Sequence, residues 1–272
     1  MGHWTLDDIS WRNFDPERVE AGIVDAIKAA SLVEYNSAEY AEYLGNVFYD
    51  DPDFCRAVND WAVEEVQHGL ALKRWAELAD PAFDCETAFK RFTEGYQQVP
   101  LDTRSSVRGS RCGELVARCV VEVGTSSYYS ALRDAVDEPV LKEICHRIAG
   151  DEFRHYKLFL DHMRRYQAHD KLGTLARLRI AFGRLAESED DELAFAFHCG
   201  SGATHDYDRR RAVRAYERRA LPLYRFGHVQ RALRMVLKAA GLKPRGRLGR
   251  ILVQIGWRLM QIRVRRLSRA EA

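Results

Sequence analysis

Six carboxylate and imidazole residues recur in the chain as two copies of one pattern. Each copy has a glutamate that is followed by a Glu-x-x-His motif, 31 residues later in the first copy and 30 in the second. Residues at positions i and i+3 share a helix face, so the Glu and His of each motif can point inward together. Buried carboxylates are too costly to desolvate as bare charges, and two divalent cations would neutralise them. The predicted metal ligands are Glu34, Glu65, His68, Glu122, Glu152 and His155.

The elements that must position these residues are long helices. Between about residues 16 and 167 apolar residues recur at helical spacing, and no alternating strand pattern competes. Prolines that follow acidic residues interrupt this pattern at Pro52, Pro81 and Pro139, and proline suits the first turn of a helix. The predicted helices span about 16–49, 52–79, 104–136 and 139–168, with a short helix near 85–95.

Within each pair of helices the glutamate and the Glu-x-x-His motif reach a similar height. Glu34 lies 18 residues before Pro52 and Glu65 lies 13 after it, and the corresponding separations around Pro139 are 17 and 13. At about 1.5 Å per residue, the two sets of ligands therefore meet across each helical hairpin. This is the arrangement of di-iron and di-manganese carboxylate proteins. We predict an all-α fold, namely a ferritin-like four-helix bundle with an internal repeat of two hairpins.

Two other sets of residues resemble the pattern but do not fit it. Glu143 and His146 form a further Glu-x-x-His motif. Glu143 lies nine residues before Glu152, which turns it to the opposite helix face at about 100° per residue. Glu114 lies two turns before Glu122 and has no counterpart in the first copy. Neither set is therefore predicted to bind metal.

Two acidic residues are candidates to orient the histidine ligands. A ligating histidine commonly donates its second ring N–H to a carboxylate. Glu64 and Asp151 each immediately precede a predicted ligand glutamate. We predict that Asp151 contacts His68 and that Glu64 contacts His155, and the alternative is that both are ordinary exposed acids.

The motifs resemble those of soluble acyl-carrier-protein desaturases, which belong to the ferritin-like superfamily. Residues 61–69 (WAVEEVQHG) and 151–155 (DEFRH) are similar to the paired EExxHG and DExRH motifs of that family. The resemblance covers about residues 20–165 and implies two iron ions, O₂ as co-substrate and an external electron donor such as ferredoxin. It also implies a catalytic, proton-handling role for Thr125, one turn after Glu122. The alternative is a hydroxyl bonded to its own helix backbone.

Composition and cysteine spacing limit the other classes of protein. The chain has 272 residues, of which 46% are hydrophobic and 30% charged, as in ordinary folded proteins. Its six cysteines include no CxxC pair, which argues against a zinc ribbon or an iron–sulfur cluster. The N-terminus lacks the pattern of a signal peptide, and no apolar run approaches the roughly 18 residues of a membrane span. We expect a cytoplasmic protein, either soluble or peripheral at a membrane.

The C-terminal part is strongly basic. Residues 205–272 contain 19 Lys and Arg against four acidic residues, a net charge of +15, whereas the remainder carries −13. We predict a metal-binding bundle over 1–170 and a helical extension over 171–272. Within residues 251–266, aliphatic residues and arginines predict an amphipathic basic helix that suits an anionic membrane surface. An acyl carrier protein, RNA and the acidic body of the chain itself are the other candidate partners. The predicted helices of the extension lie near 173–187, 190–198, 206–239 and 247–268.

The predicted function is that of an O₂-dependent di-iron oxidase or oxygenase, of the desaturase or hydroxylase type. Its expected substrate is acyl or lipid-like, either free or delivered on acyl carrier protein. The cofactors are two Fe ions, with Mn as the alternative, because both suit carboxylate and imidazole ligands. The alternatives are a quinone or tRNA hydroxylase on the same scaffold and a ferritin-like metal-binding or peroxide-scavenging protein. A homodimer is compatible with each. His198 and His205 are interpreted as surface histidines, and the alternative is that one of them supplies an extra metal ligand, as in some N-oxygenases of this superfamily.

Overall fold

In the computed structural model, residues 3–96, 99–187, 191–203 and 206–269 are described, and these contain helices and connecting segments but no strand. The all-α class predicted from the sequence is confirmed. No helix in the described ranges is both long and apolar enough to cross a bilayer. The helices are α1 Ala21–Tyr35, α2 Ser37–Val47, α3 Pro52–Ala79, α4 Cys85–Gly95, α5 Arg111–Ala135, α6 Pro139–Asp170, α7 Thr174–Glu187, α8 Asp191–Gly200, α9 Arg209–Ala220, α10 Phe226–Ala239 and α11 Arg247–Arg269.

The two helices that carry the Glu-x-x-His motifs begin at the predicted prolines. At the start of α3, the Asp51 carboxylate accepts a hydrogen bond from the Phe54 N–H (3.1 Å), and Pro52 occupies the first turn. At the start of α6, the Glu138 carboxylate accepts hydrogen bonds from the N–H groups of Val140 (3.2 Å) and Leu141 (2.7 Å). These caps satisfy N–H groups that a helix start leaves without partners.

The helix predicted over 16–49 is two helices. A short 3₁₀ turn, Pro16–Arg18, precedes α1, and the chain breaks at Asn36 between α1 and α2. The Asn36 side chain donates a hydrogen bond to Glu39 (3.0 Å). Asparagine forms such local hydrogen bonds outside the regular helix, which is why it favours caps and turns. The break comes two residues after Glu34, near the end of α1.

Two further helix boundaries also differ from the prediction. The third long helix begins at Arg111 instead of 104, because the Ser110 hydroxyl caps it by accepting from the Gly113 N–H (3.0 Å). The helix predicted over 206–239 is divided into α9 and α10 by the 3₁₀ turn Leu221–Leu223. Pro222 within this turn has no N–H to donate to a continuing helix.

The helices α1, α3, α5 and α6 are arranged as two adjacent pairs. α1 packs on α3, α5 packs on α6, and α3 contacts α6. The hydrophobic core is divided into two large clusters along these helices. In α3, the buried apolar residues between 54 and 62 belong to one cluster, and those between 71 and 76 belong to the other. In α6, the corresponding residues are 156–163 and 140–149. The predicted metal ligands lie at the height between the two clusters.

Gly69 allows α1 and α3 to approach closely beside the predicted ligands. A Cβ atom at this position would lie 2.6 Å from the Tyr35 backbone nitrogen and 2.8 Å from its Cα. No side chain fits there without moving the backbone of α1. The glycine that follows His68 in the motif therefore has a packing role next to Glu34.

The C-terminal helices share core residues with the helices that precede them. Ala181 of α7 and Val236 of α10 belong to the same cluster as residues 112–123 of α5. Ala196 and Phe197 of α8 pack with Ala29 of α1 and with residues of α4. The division at residue 170 stays a prediction.

Candidate metal centre

The structure brings all six predicted ligand residues together in one buried cluster. Their exposed fractions range from 0 to 7%. The six residues form two groups of four, with two residues shared. Within each group every residue offers one potential ligand atom, and these four atoms lie within 4.8 Å of one another. Glu65 and Glu152, the glutamates of the two Glu-x-x-His motifs, belong to both groups. The first group adds Glu34 and His68, and the second adds Glu122 and His155.

The atoms that face the centre of the cluster lie close to one another but make no hydrogen bond of regular geometry. His155 Nδ1 lies 3.0 Å from Glu65 Oε1, and His68 Nδ1 lies 3.3 Å from Glu152 Oε1. Buried polar atoms are nearly always hydrogen-bonded, so several without a regular hydrogen bond in one place indicate a site for a further partner. Carboxylate oxygens and imidazole nitrogens are ligands that iron and manganese both accept. The donor set therefore fits divalent cations. The atoms concerned are Glu65 Oε1, His68 Nδ1, Glu122 Oε2, Glu152 Oε1 and His155 Nδ1.

The charges around the cluster match two divalent cations. Besides the four ligand glutamates, Glu64 and Asp151 contact the histidine rings. Arg118 pairs with a ligand glutamate, and Arg154 pairs with Glu64 and Asp151. With both imidazoles neutral, as metal ligands must be, six carboxylates and two guanidinium groups leave four negative charges, which two divalent cations would balance. Unbalanced buried charge is strongly destabilising.

In the absence of metal the cluster holds protons. Burial, together with the charges of neighbouring glutamates, raises the pKa of Glu34 and of Glu122 well above the usual carboxyl range. Burial also acts to raise the pKa of Glu65, but the nearby imidazoles outweigh burial and hold it well below that range. For the histidines burial acts to lower the pKa, but surrounding carboxylates outweigh it. They raise the pKa of His155 to about 10 and that of His68 well above its ordinary value.

Each histidine has its second ring nitrogen on a carboxylate. His68 Nε2 lies 3.1 Å from Asp151 Oδ2, and His155 Nε2 lies 3.0 Å from Glu64 Oε2. These are the pairs that the sequence predicts, and each joins residues from opposite copies of the repeat. A carboxylate on Nε2 keeps the proton there and leaves Nδ1 as the nitrogen that faces the cluster.

Residues outside the predicted set hold these carboxylates. The Trp4 indole N–H donates to Asp151 Oδ2 (2.6 Å), and its ring stacks on His68 with centroids 6.0 Å apart. The Arg154 guanidinium donates to Glu64 Oε2 (3.0 Å) and also pairs with Asp151. Arg154 lies inside the second motif, so the sequence could have indicated its place in the cluster. Trp4 lies 147 residues from its partner along the chain and gave none.

Thr125 contacts both a ligand and its own helix. Its Oγ1 lies 2.5 Å from Glu152 Oε2 and 3.2 Å from the carbonyl oxygens of Val121 and Glu122. A hydroxyl has one proton to donate, and the carboxylate is the nearest acceptor. The hydroxyl is therefore placed to exchange a proton with a glutamate that belongs to both four-residue groups.

Arg118 and Tyr129 also contact ligand glutamates, and neither was predicted. Arg118 pairs with Glu122 Oε1, and its guanidinium lies over the Trp61 ring, 4.6 Å from the centroid. The Tyr129 hydroxyl donates to Glu34 Oε1 (2.5 Å). Arg118 precedes Glu122 by four residues, a spacing that favours ion pairs on a helix and was a usable signal. Nothing in the sequence distinguishes Tyr129 from the other tyrosines of the chain.

The residues rejected by helix phase and by the repeat lie outside both four-residue groups. Glu143 accepts a hydrogen bond from the Ser10 N–H (3.1 Å), and His146 is exposed. Glu114 is fully buried, but it is held by hydroxyl groups instead of histidines. Its donors are Tyr40, Tyr43 and Ser106, at 2.5, 2.8 and 2.6 Å.

Of the two histidines interpreted as surface residues, only His198 lies within the described part of the structure. His198 is buried, and its ring lies near those of Phe195 and Tyr207, with centroids 6.2 and 5.4 Å away. The surface interpretation of His198 is therefore wrong, because α8 packs this face against aromatic residues. His198 belongs to neither four-residue group. His205 lies outside the described residues.

Comparison of the sequence with protein-family models and with curated proteins finds no match. The chemical interpretation of the cluster therefore depends on its own geometry. Ligand residues, orienting carboxylates and a nearby hydroxyl are arranged so that the cluster could hold two divalent cations side by side.

Replacing Asp151 by asparagine is expected to weaken metal binding about 10- to 100-fold, the usual effect of losing a carboxylate behind a ligand histidine. The variant keeps the shape of the side chain but removes the charge that orients His68. Asp161→Asn, an exposed acid on the same helix, is the matched control. Competition with a metal-binding indicator measures both affinities. Equal affinities for the two variants would contradict the orienting role.

Proposed function

We propose that the chain is a di-iron oxidoreductase with a ferritin-like bundle, and that it uses O₂ to oxidise an acyl or lipid-like substrate. The observation that carries the proposal is the pair of four-residue groups that share Glu65 and Glu152. Each group offers the carboxylate and imidazole donors that one divalent cation would need. The similarity of the flanking residues to desaturase motifs supports the choice of reaction.

Two bound iron ions would supply the redox chemistry that reduces O₂ and oxidises a C–H bond. The chain's own residues would prepare the site. Asp151 and Glu64 hold the imidazole rings, and Arg118 balances part of the charge of Glu122. Thr125 can hold a proton at Glu152 Oε2. In a desaturation, O₂, two electrons from an external donor such as ferredoxin and two protons would convert CH₂–CH₂ into CH=CH and two water molecules.

A second candidate, a metal-binding or peroxide-scavenging protein, is favoured by the burial of the cluster, whose six residues are at most 7% exposed. A peroxide is small enough to reach such a site without a lipid-sized cavity.

Single-turnover oxidation of the ferrous protein by O₂ separates the two candidates. We expect an optical transient that decays faster when a fatty-acyl substrate is present, with oxidised product formed in proportion to active sites. In Thr125→Val, the acceleration by substrate is expected to be weaker while the metal content is unchanged. If no acyl, lipid or RNA substrate accelerates the decay and peroxide is consumed rapidly, the second candidate replaces the first.

Metal affinity is expected to decrease as the pH falls from about 8 to about 6, because the cation must displace protons from its ligands. The surrounding carboxylates raise the pKa of His155 to about 10, so this imidazole holds its proton throughout that range. In the metal-free protein the raised pKa stabilises the fold fully below the ordinary value of 6.5, and this contribution is lost as the pH rises towards 10. The gain in Tm on metal binding should therefore increase with pH. Proton release on metal addition, measured in weak buffer, checks this, and a pH-independent affinity would contradict it.

A further inference from the structure

Helix α11 has apolar side chains on two sides. One side, which includes the buried residues Val253 and Leu267, packs on the protein, where α11 contacts α9 and α10. The other side leaves five large aliphatic side chains 45–61% exposed. They recur every three or four residues and therefore form one stripe along the helix. This exposed stripe consists of Leu248, Ile251, Ile255, Leu259 and Ile262.

Arginines accompany the exposed stripe. Residues 243–269 contain nine Lys and Arg and no Asp or Glu. Arg263 pairs with Glu217 of α9 (2.8 Å). Among the residues that the structure describes, no carboxylate lies within ion-pair distance of the other six arginines of this helix, which are also exposed. Several of them lie about 40–80° to one side of the stripe at 100° per residue. The six are Arg247, Arg250, Arg258, Arg265, Arg266 and Arg269.

We infer that the exposed stripe of α11 docks on an anionic phospholipid surface, with the helix lying in the plane of the membrane. The aliphatic side chains would enter the boundary between headgroups and acyl chains, and the arginines would reach lipid phosphates. Long arginine side chains can keep their charge at the headgroups while their methylene groups remain among apolar atoms.

None of the other candidate partners matches both the aliphatic stripe and the arginines of α11. RNA or an acidic carrier protein would attract the arginines but would leave five aliphatic side chains in water. The acidic body of the chain does not cover this side of the helix. A second copy of the chain would bury the stripe but would bring two rows of arginines together, and like charges repel. An anionic bilayer matches the aliphatic residues and the arginines at once. The docking does not depend on the metals.

Sedimentation of the full metal-loaded chain with vesicles tests the inference. The vesicles are phosphatidylcholine alone or phosphatidylcholine mixed with phosphatidylglycerol. We expect binding to the anionic vesicles that weakens with added salt, and much weaker binding to the neutral ones. Arg258→Gln/Arg265→Gln should weaken binding about fivefold for each charge removed. Ile255→Gln/Leu259→Gln should weaken it about tenfold for each aliphatic side chain.

Matched controls exist elsewhere on the surface. Leu175→Gln removes an aliphatic side chain of α7 that is 81% exposed, and Lys157→Gln removes an exposed charge of α6. Both should bind vesicles like the unmodified chain. Circular dichroism and Tm verify folding, and Ile255→Gln and Leu259→Gln are made singly if the pair does not fold.

Three outcomes would overturn the inference. In the first, the aliphatic variants bind anionic vesicles as well as the unmodified chain does, so that charge alone accounts for binding. In the second, they leave vesicle binding unchanged and convert a dimer into a monomer in ultracentrifugation, which would make the stripe an interface between copies. In the third, the chain binds single-stranded RNA more tightly than anionic vesicles, and the aliphatic variants bind that RNA unchanged.

Discussion

Replacing Glu65 by alanine is expected to remove both metal ions from the chain, whereas replacing Glu34 is expected to remove mainly one. Glu65 belongs to both four-residue groups, and Glu34 belongs only to the group that contains His68. By the same reasoning Glu152→Ala should resemble Glu65→Ala, and Glu122→Ala should lose mainly the other ion. For each affected ion we expect a loss of affinity greater than about 100-fold, since even partners behind a ligand change affinity 10- to 100-fold.

Metal analysis of purified, iron-loaded variants measures this pattern directly. Glu143→Ala is the half-buried control, because this residue belongs to a Glu-x-x-His motif that lies outside both groups. Glu114→Gln is the buried control and tests whether the change of any buried glutamate releases metal. Retention of two ions by Glu65→Ala would contradict the shared position of this residue. So would a loss of metal in the two controls as large as the loss in Glu65→Ala.

Removal of the metals by a chelator is expected to lower the stability of the folded chain strongly. A cation present at 1,000 times its Kd stabilises the folded state by about 4 kcal/mol per site, so two sites contribute about 8 kcal/mol. For chains of roughly this size, 1 kcal/mol corresponds to about 2–4 °C in Tm, which gives a decrease of about 16–32 °C. The metal-free cluster has four buried glutamates, and burial raises the pKa of Glu34 and Glu122.

Thermal unfolding with and without chelator measures the effect, and re-addition of Fe²⁺ or Mn²⁺ should restore the original Tm. Glu65→Gln is the matched control, because it keeps the side-chain shape but is expected to bind little metal. The chelator should leave the Tm of this variant nearly unchanged. A wild-type Tm that does not respond to chelation would show that the cluster contributes nothing to stability through bound metal.

The clustering of the six predicted ligand residues was predictable because it depends on short distances along the chain and on helix phase. The spacing of Glu65 and His68 within one turn, and its repetition at Glu152 and His155, specify residues on shared helix faces. The caps at Asp51 and Glu138 then set where the helices begin. The pairs that orient the histidines followed for the same reason, since Glu64 and Asp151 are neighbours of ligand residues in the sequence.

The remaining contacts depend on packing between distant segments, which periodicity does not contain. Trp4 reaches Asp151 because the N-terminal segment packs on α3 and α6. Tyr129 reaches Glu34 across 95 residues of sequence. Apolar spacing continues through Asn36 and gives no sign of the break there, although the first helix ends just before this residue.

The partner of the basic C-terminal part could not be chosen from composition. A net charge of +15 over residues 205–272 indicates an anionic partner but does not distinguish a membrane from RNA or an acidic protein. On α11, the structure distinguishes Arg263, which pairs with Glu217, from the arginines that lie beside the aliphatic stripe. The juxtaposition of this stripe with the exposed arginines favours a membrane.

The most direct test of the two-metal site is a crystal structure of the iron-loaded chain with anomalous diffraction measured at the iron absorption edge. We predict two anomalous peaks inside the cluster, one bounded by Glu34 and His68 and the other by Glu122 and His155, with Glu65 and Glu152 adjacent to both. A cluster without anomalous density, or iron bound only at other residues, would contradict the proposed metal centre.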